Sequence, residues 1–180
     1  QEADGSRAAE LLLTHPDRNF DATGWSSDGR LLFLQSSAKR DARTDLWVYD
    51  FSSRAARELL SDASASLSEA TLSADGKWLA YVSDESGNPE VFVRPFPALD
   101  RKWKISQGGA LHPHWRRDGR ELVFVGLADR AVIAVDVTPG RDGLDVGIPH
   151  RLFDPRTQLL GLAPSADHRR FLAGIVPGDV

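Results

Sequence analysis

Apolar residues fall along this chain in short runs that alternate with polar positions and are interrupted by turn residues. The runs Leu31 to Leu34, Trp78 to Val82, Leu122 to Val125 and Phe171 to Val176 each follow the same kind of turn. Its copies read Asp28-Gly29-Arg30, Asp75-Gly76-Lys77, Asp118-Gly119-Arg120 and a worn Asp167-His168-Arg169, with the aspartates 47, 43 and 49 residues apart. Just upstream lie Trp25-Ser26-Ser27, Leu72-Ser73-Ala74, Trp115-Arg116-Arg117 and Pro164-Ser165-Ala166. Gly accepts positive φ and Asp caps its own turn, so each copy predicts a hairpin joining two antiparallel strands.

A third β-rich run follows in three of the repeats, at Asp45 to Tyr49, Glu90 to Val93 and Ala131 to Val137. A shorter fourth run comes after it, at Arg57 to Leu60, Lys102 to Ile105 and Arg151 to Phe153. Two-residue alternation in these runs suits half-buried strands, and no long stretch has helical periodicity. Four strands recurring every forty-odd residues is the period of a β-propeller blade. The expected fold is therefore all-β, with blades at about 20–60, 67–106, 110–154 and 157–176. Ala8 to Leu13 could be read as a helical turn, but 10–15 falls where the last strand of a preceding blade belongs. A blade cannot cover both of its faces alone, and the last blade stops after its second strand. Together with an opening Gln1, this suggests about four blades of a propeller cut from a longer polypeptide, with further blades before Gln1. Closure of the last blade by the Leu11 segment is the alternative.

Composition narrows function mainly by exclusion. A net charge of -4 and a pI near 5.7 argue against a dedicated nucleic-acid surface, and the 22 basic residues are scattered, often beside acids. No apolar run approaches the roughly 18 residues needed to cross a bilayer, so no membrane contact is expected of this segment. Cysteine is absent, which removes disulfides and thiolate chemistry. No Gly-x-Ser-x-Gly elbow is present. Arg116-Arg117-Asp118 superficially matches a kinase catalytic loop, but the fifth residue after the Asp is Val123 and no Asp-Phe-Gly exists. It reads as a turn. No catalytic residue, cofactor or metal is assigned.

The run Leu72-Ser73-Ala74-Asp75-Gly76-Lys77-Trp78-Leu79-Ala80-Tyr81-Val82-Ser83-Asp84 resembles the repeat of TolB-like, WD40-like propellers. Its continuation through Glu90-Val91-Phe92-Val93-Arg94-Pro95, Lys102-Trp103-Lys104-Ile105 and His114-Trp115-Arg116-Arg117-Asp118-Gly119-Arg120 is similar to the C-terminal propeller of bacterial receptor-type serine/threonine kinases. That resemblance implies a ring of about six blades, forming a sensory or protein-interaction module on the extracytoplasmic side, with the catalytic domain elsewhere. His168 in place of Gly departs from the pattern, as do Ser27 and Ala74 where Pro is frequent. Similar repeats accompany prolyl-oligopeptidase-like hydrolases as gating domains and occur as periplasmic TolB-like scaffolds.

The sharpest chemical candidate is His112-Pro113-His114, because residues two apart on a strand project to one side. Alignment of the repeats on their aspartates places Glu69 opposite His112 and Thr71 opposite His114. A metal would want more ligands than the two histidines; the plainer reading is that they satisfy hydrogen bonds between blades. Glu69, His112 and His114, with Arg18 on a loop leading into the first inner strand, are the expected ligand-binding residues, for a protein, peptide or small molecule. Asp28, Gly29, Asp75, Gly76, Asp118 and Gly119 are expected to be structural. Asp142-Gly143-Leu144-Asp145 reads as a solvated loop, Gly108-Gly109 as a tight turn, and Trp25, Trp47, Trp78, Trp103 and Trp115 as packing between blades.

Overall fold

The computed structural model describes residues 8–39, 43–140, 143–155 and 159–175. These residues form antiparallel sheets, one per repeat. The first contains β1 (Arg18–Trp25), β2 (Leu31–Ala38), β3 (Thr44–Asp50) and β4 (Ala55–Leu60). The second contains β5 (Leu67–Leu72), β6 (Trp78–Ser83), β7 (Glu90–Pro95) and β8 (Trp103–Lys104). In the third, β9 (Ala110–Trp115), β10 (Glu121–Gly126) and β11 (Val132–Gly140) pair in order, and β11 serves both β12 (Gly143–Val146) and β13 (His150–Phe153). The last comprises β14 (Leu159–Pro164) and β15 (Phe171–Ile175). Leu31 to Leu34 and Leu122 to Val125 thus lie in separate sheets.

The turns explain why the repeat is legible. Ser26 Oγ donates to Asp28 and accepts from the Leu31 amide at 2.8 Å, while Asp28 also accepts the Arg30 amide at 3.0 Å. Ser73 with Asp75 and Ser165 with Asp167 repeat the arrangement. At the third turn Arg116 stands where serine would, and its Nε donates to Asp118 at 2.9 Å. Gly29, Gly76 and Gly119 hold φ of 69°, 73° and 69°, and His168 adopts φ 54° at the equivalent place. The worn copy therefore keeps the left-handed backbone. Its ring compensates by burying itself, with Nδ1 2.7 Å from Glu121 Oε1 of the preceding sheet.

Alternation along each strand sends side chains into two different cores. From β6, Leu79 and Tyr81 join Phe33, Leu46 and Val48 of the first sheet, while Trp78, Ala80 and Val82 join Leu122, Phe124 and Val135 of the third. Val125, Val132 and Leu162 fill the next interface, with Phe153 and Phe171 packed on them. The half-buried expectation fails for β6, which is buried at all six positions, because neighbouring sheets cover both of its faces. At about 1.5–3 kcal/mol per fully buried large apolar side chain, stacking of sheets dominates the stability of the fold.

Four further expectations need correction. Residues 8–15 form neither helix nor strand. Leu13 packs with Phe20 and Trp47 against Leu32, Leu34 and Tyr49 of the first sheet, and the segment enters no ladder among the described residues. Gly143 to Asp145 belong to β12, and Leu144 is buried because the β11–β12 hairpin folds onto the core shared with the second sheet; Asp142 is outside the described residues. Trp25 is 55% exposed and stacks on Phe51 of its own sheet rather than between blades. Arg18 is the first residue of β1, not a loop residue.

Candidate functional site

The innermost strands β1, β5, β9 and β14 converge on a cleft of about 370 Å³. Asp21 and Thr23 of β1, Glu69 and Thr71 of β5, and His112 and His114 of β9 supply its polar lining, with Gln35 from β2. Each of the four strands carries a register shift at this level: Ala22/Gly24 on β1, Ser68/Thr71 on β5, Leu159/Gly161 on β14, and on β9 the segment opposite Val123/Val125. Bulges bend a strand and re-aim its side chains, which lets four strands crowd around one axis.

Glu69 and His112 occupy the same place in successive repeats, and both are non-glycine residues at positive φ, 53° and 58°. Such a backbone costs on the order of 1–2 kcal/mol per residue. The compensation is visible across the interface. Glu69 Oε2 accepts the His112 amide at 2.5 Å, and Oε1 lies 3.3 Å from its Nδ1. The first interface is bridged at the same level by Thr23, whose Oγ1 donates to the Ala70 carbonyl at 3.0 Å. Pro113, with no N–H to leave unpaired, is buried between the two histidines.

Alignment of repeats thus brought Glu69, His112 and His114 together correctly, though the two rings do different things. Positive φ at His112 breaks simple alternation. Its ring faces Glu69, whereas His114 is held by burial and by the backbone of Leu162 on β14. Burial depresses the His114 pKa to about 4, the Leu162 backbone opposing the shift and the neighbouring His112 and His168 adding to it. His114 is neutral in the folded protein at neutral pH. Among the described residues no three His, Cys, Asp or Glu side chains are grouped to hold a metal ion.

Arg18 lies elsewhere. Its guanidinium pairs with Asp45 at 2.8 Å, donates to Ser36 at 3.2 Å, and sits 5.4 Å over the Trp47 ring, lining a separate cavity with Asp45 and Glu58. Those contacts knit the first sheet together. Thr23, Thr71, Asp21 and Gln35 escaped the sequence reading as site residues. The alignment that matched Thr71 to His114 carried a signal for the first, since Thr23 lies one residue from the corresponding place.

No family model matches the chain, and no curated protein matches it in sequence. Solved structures do match in fold. TolB from Acinetobacter baumannii superposes with a TM-score of 0.75 at 16% identity, over 95% of this chain and 41% of that one. The β-propeller domain of Cps50 (Swd1) from Myceliophteria thermophila gives 0.59 at 15% identity, over 87% and 66%. A prolyl endopeptidase gives 0.54 at 18% identity, over 90% and 26%. At such identities the likeness shows the fold alone: four-stranded antiparallel sheets resembling part of a TolB-like propeller. The chain spans half or less of the TolB-type chains it matches.

Proposed function

We propose that this chain is a non-catalytic binding module whose cleft along β1, β5, β9 and β14 receives a peptide or other small ligand. The observation that carries the reading is the convergence of strained, polar residues on that cleft. Glu69 and His112 maintain left-handed backbones there, and such strain concentrates at ligand sites. Concave sites with a few converging polar groups are the usual place of ligand binding. The resemblance of the Leu72 to Leu122 series supports attachment to a bacterial receptor-type serine/threonine kinase, with the propeller as its extracytoplasmic sensor. The rival reading is a gating propeller beside a hydrolase domain, which the fold likeness to prolyl endopeptidase favours. Neighbouring coding sequence separates them: a kinase signature and membrane span upstream supports the first, a Ser-His-Asp hydrolase domain downstream the second.

The cleft itself is tested by selecting random heptapeptides on the purified chain and measuring their affinities for Thr71→Trp, whose ring would plug the cavity. Selected peptides should lose at least about tenfold in affinity, since a filled pocket excludes the ligand. Peptides that bind the plugged variant as tightly as the native chain overturn the assignment.

A further inference from the structure

Four basic residues that stand as two distant pairs in the sequence come together in space. The turns after β9 and β14 together enclose an open groove of about 910 Å³, lined by Arg116, Arg117, Arg169 and Arg170 against only Asp118 and Asp167. The protein as a whole carries a net charge of -4, so this corner opposes the overall sign. The groove has a fixed shape, because the Arg117 amide donates to the Ala166 carbonyl at 2.9 Å and ties one turn to the other. His168 against Glu121 at 2.7 Å makes a second tie beneath.

The charges in the groove are not equally committed. Arg116 is engaged by Asp118 and by Glu121, each at 2.9 Å. Asp118 and Asp167 are held ionised, the first chiefly by the Arg116 hydrogen bond and the second chiefly by that from Ser165. Arg169 reaches Asp167 only at 3.9 Å. The guanidiniums of Arg117 and Arg170 are exposed and make no hydrogen bond or ion pair among the described residues. Each presents a planar fork of donors that matches a carboxylate.

We infer that this groove is a docking surface for an acidic segment of a protein partner, with Arg117 and Arg170 as its carboxylate receptors. A lone phosphate is far too small for the space. A nucleic acid would bring evenly spaced phosphates past Asp118 and Asp167, which repel them, and would need a longer basic track. An acidic peptide alternates charge with neutral backbone, so its amides can face the two aspartates while its carboxylates meet the arginines. The surface is separate from the cleft and can be altered independently of it.

The test uses a fluorescein-labelled decapeptide of alternating Glu and Ser, with anisotropy read on the purified chain at 50 and 300 mM salt. Saturable binding is expected at 50 mM, weakening at 300 mM because exposed charges are screened. Arg117→Glu with Arg170→Glu should lower affinity by about tenfold or more, since like charges now face each other, while Thr71→Trp leaves it unchanged. Arg117→Lys with Arg170→Lys, which keeps charge and removes the fork, should fall between. Far-UV circular dichroism of each variant confirms the fold. Absence of saturable binding to the native chain, a charge-reversed variant that binds normally, or a single-stranded oligonucleotide that displaces the peptide with higher affinity would each overturn the proposal.

Discussion

Glu69 and His112 offer a matched pair of perturbations that isolates one hydrogen bond. Both residues sit at positive φ, so replacing either by glycine relieves the same left-handed strain, about 1–2 kcal/mol. Both replacements also abolish the contact between the Glu69 carboxylate and the His112 ring. Only Glu69→Gly removes the acceptor of the His112 amide, now 2.5 Å away and only partly accessible to water. A hydrogen bond to a charged group contributes about 1.5–3 kcal/mol, so Glu69→Gly should be the less stable of the two by that amount. In a chain of this size each kcal/mol moves the melting midpoint by roughly 2–4 °C. Glu69→Gly is therefore expected to melt roughly 3–12 °C below His112→Gly, followed by tryptophan fluorescence and circular dichroism. Equal midpoints, or a higher one for Glu69→Gly, would show that the carboxylate does not hold the two sheets together.

Two further outcomes follow from the packing. His114 takes up a proton near pH 6.5 when unfolded but only near 4 when folded, so its contribution is fully present above pH 6.5 and lost as pH falls toward 4, by up to about 3 kcal/mol. Urea midpoints between pH 7.5 and 4.5 should fall less steeply for His114→Phe, and parallel curves would refute the burial argument. Gly143 has φ +123° and an added Cβ would lie 2.5 Å from a Trp103 ring carbon, so Gly143→Ala should destabilise by about 1–3 kcal/mol. An unchanged urea midpoint and unchanged near-ultraviolet tryptophan signal would contradict that contact.

The sheet order was legible in the sequence because the Asp-Gly turn specifies its hairpin locally, through Ser26–Asp28 and its copies. What lay beyond local chemistry was harder to read. The hairpin of β11 and β12 depends on Trp103 and the core of the neighbouring sheet, and nothing around Gly143 announces that partner. The 10–15 segment has strand-like composition, yet composition cannot say whether an edge is within reach. In the cleft, alignment of repeats found Glu69 and His112 because bulges recur at fixed distances from the turns. Arg18, expected on a loop leading into the inner strand, instead opens β1, and its charge pairs with Asp45 within a single sheet. The arginine groove was invisible for a related reason: Arg117 and Arg170 meet only when successive turns are stacked.

The polar links between neighbouring sheets also differ from one junction to the next. Thr23 reaches Ala70, Glu69 reaches His112, and Glu121 reaches His168. Sheets built on one recurring turn thus carry distinct pieces at their junctions, and the pairings of Glu69 with the His112 ring and of Glu121 with His168 need side chains that the other copies lack at those places. In a repeat protein, misassembly between look-alike units is the characteristic error, and these two pairings oppose it. They favour the linear order of the gene, in which each of these side chains meets its partner.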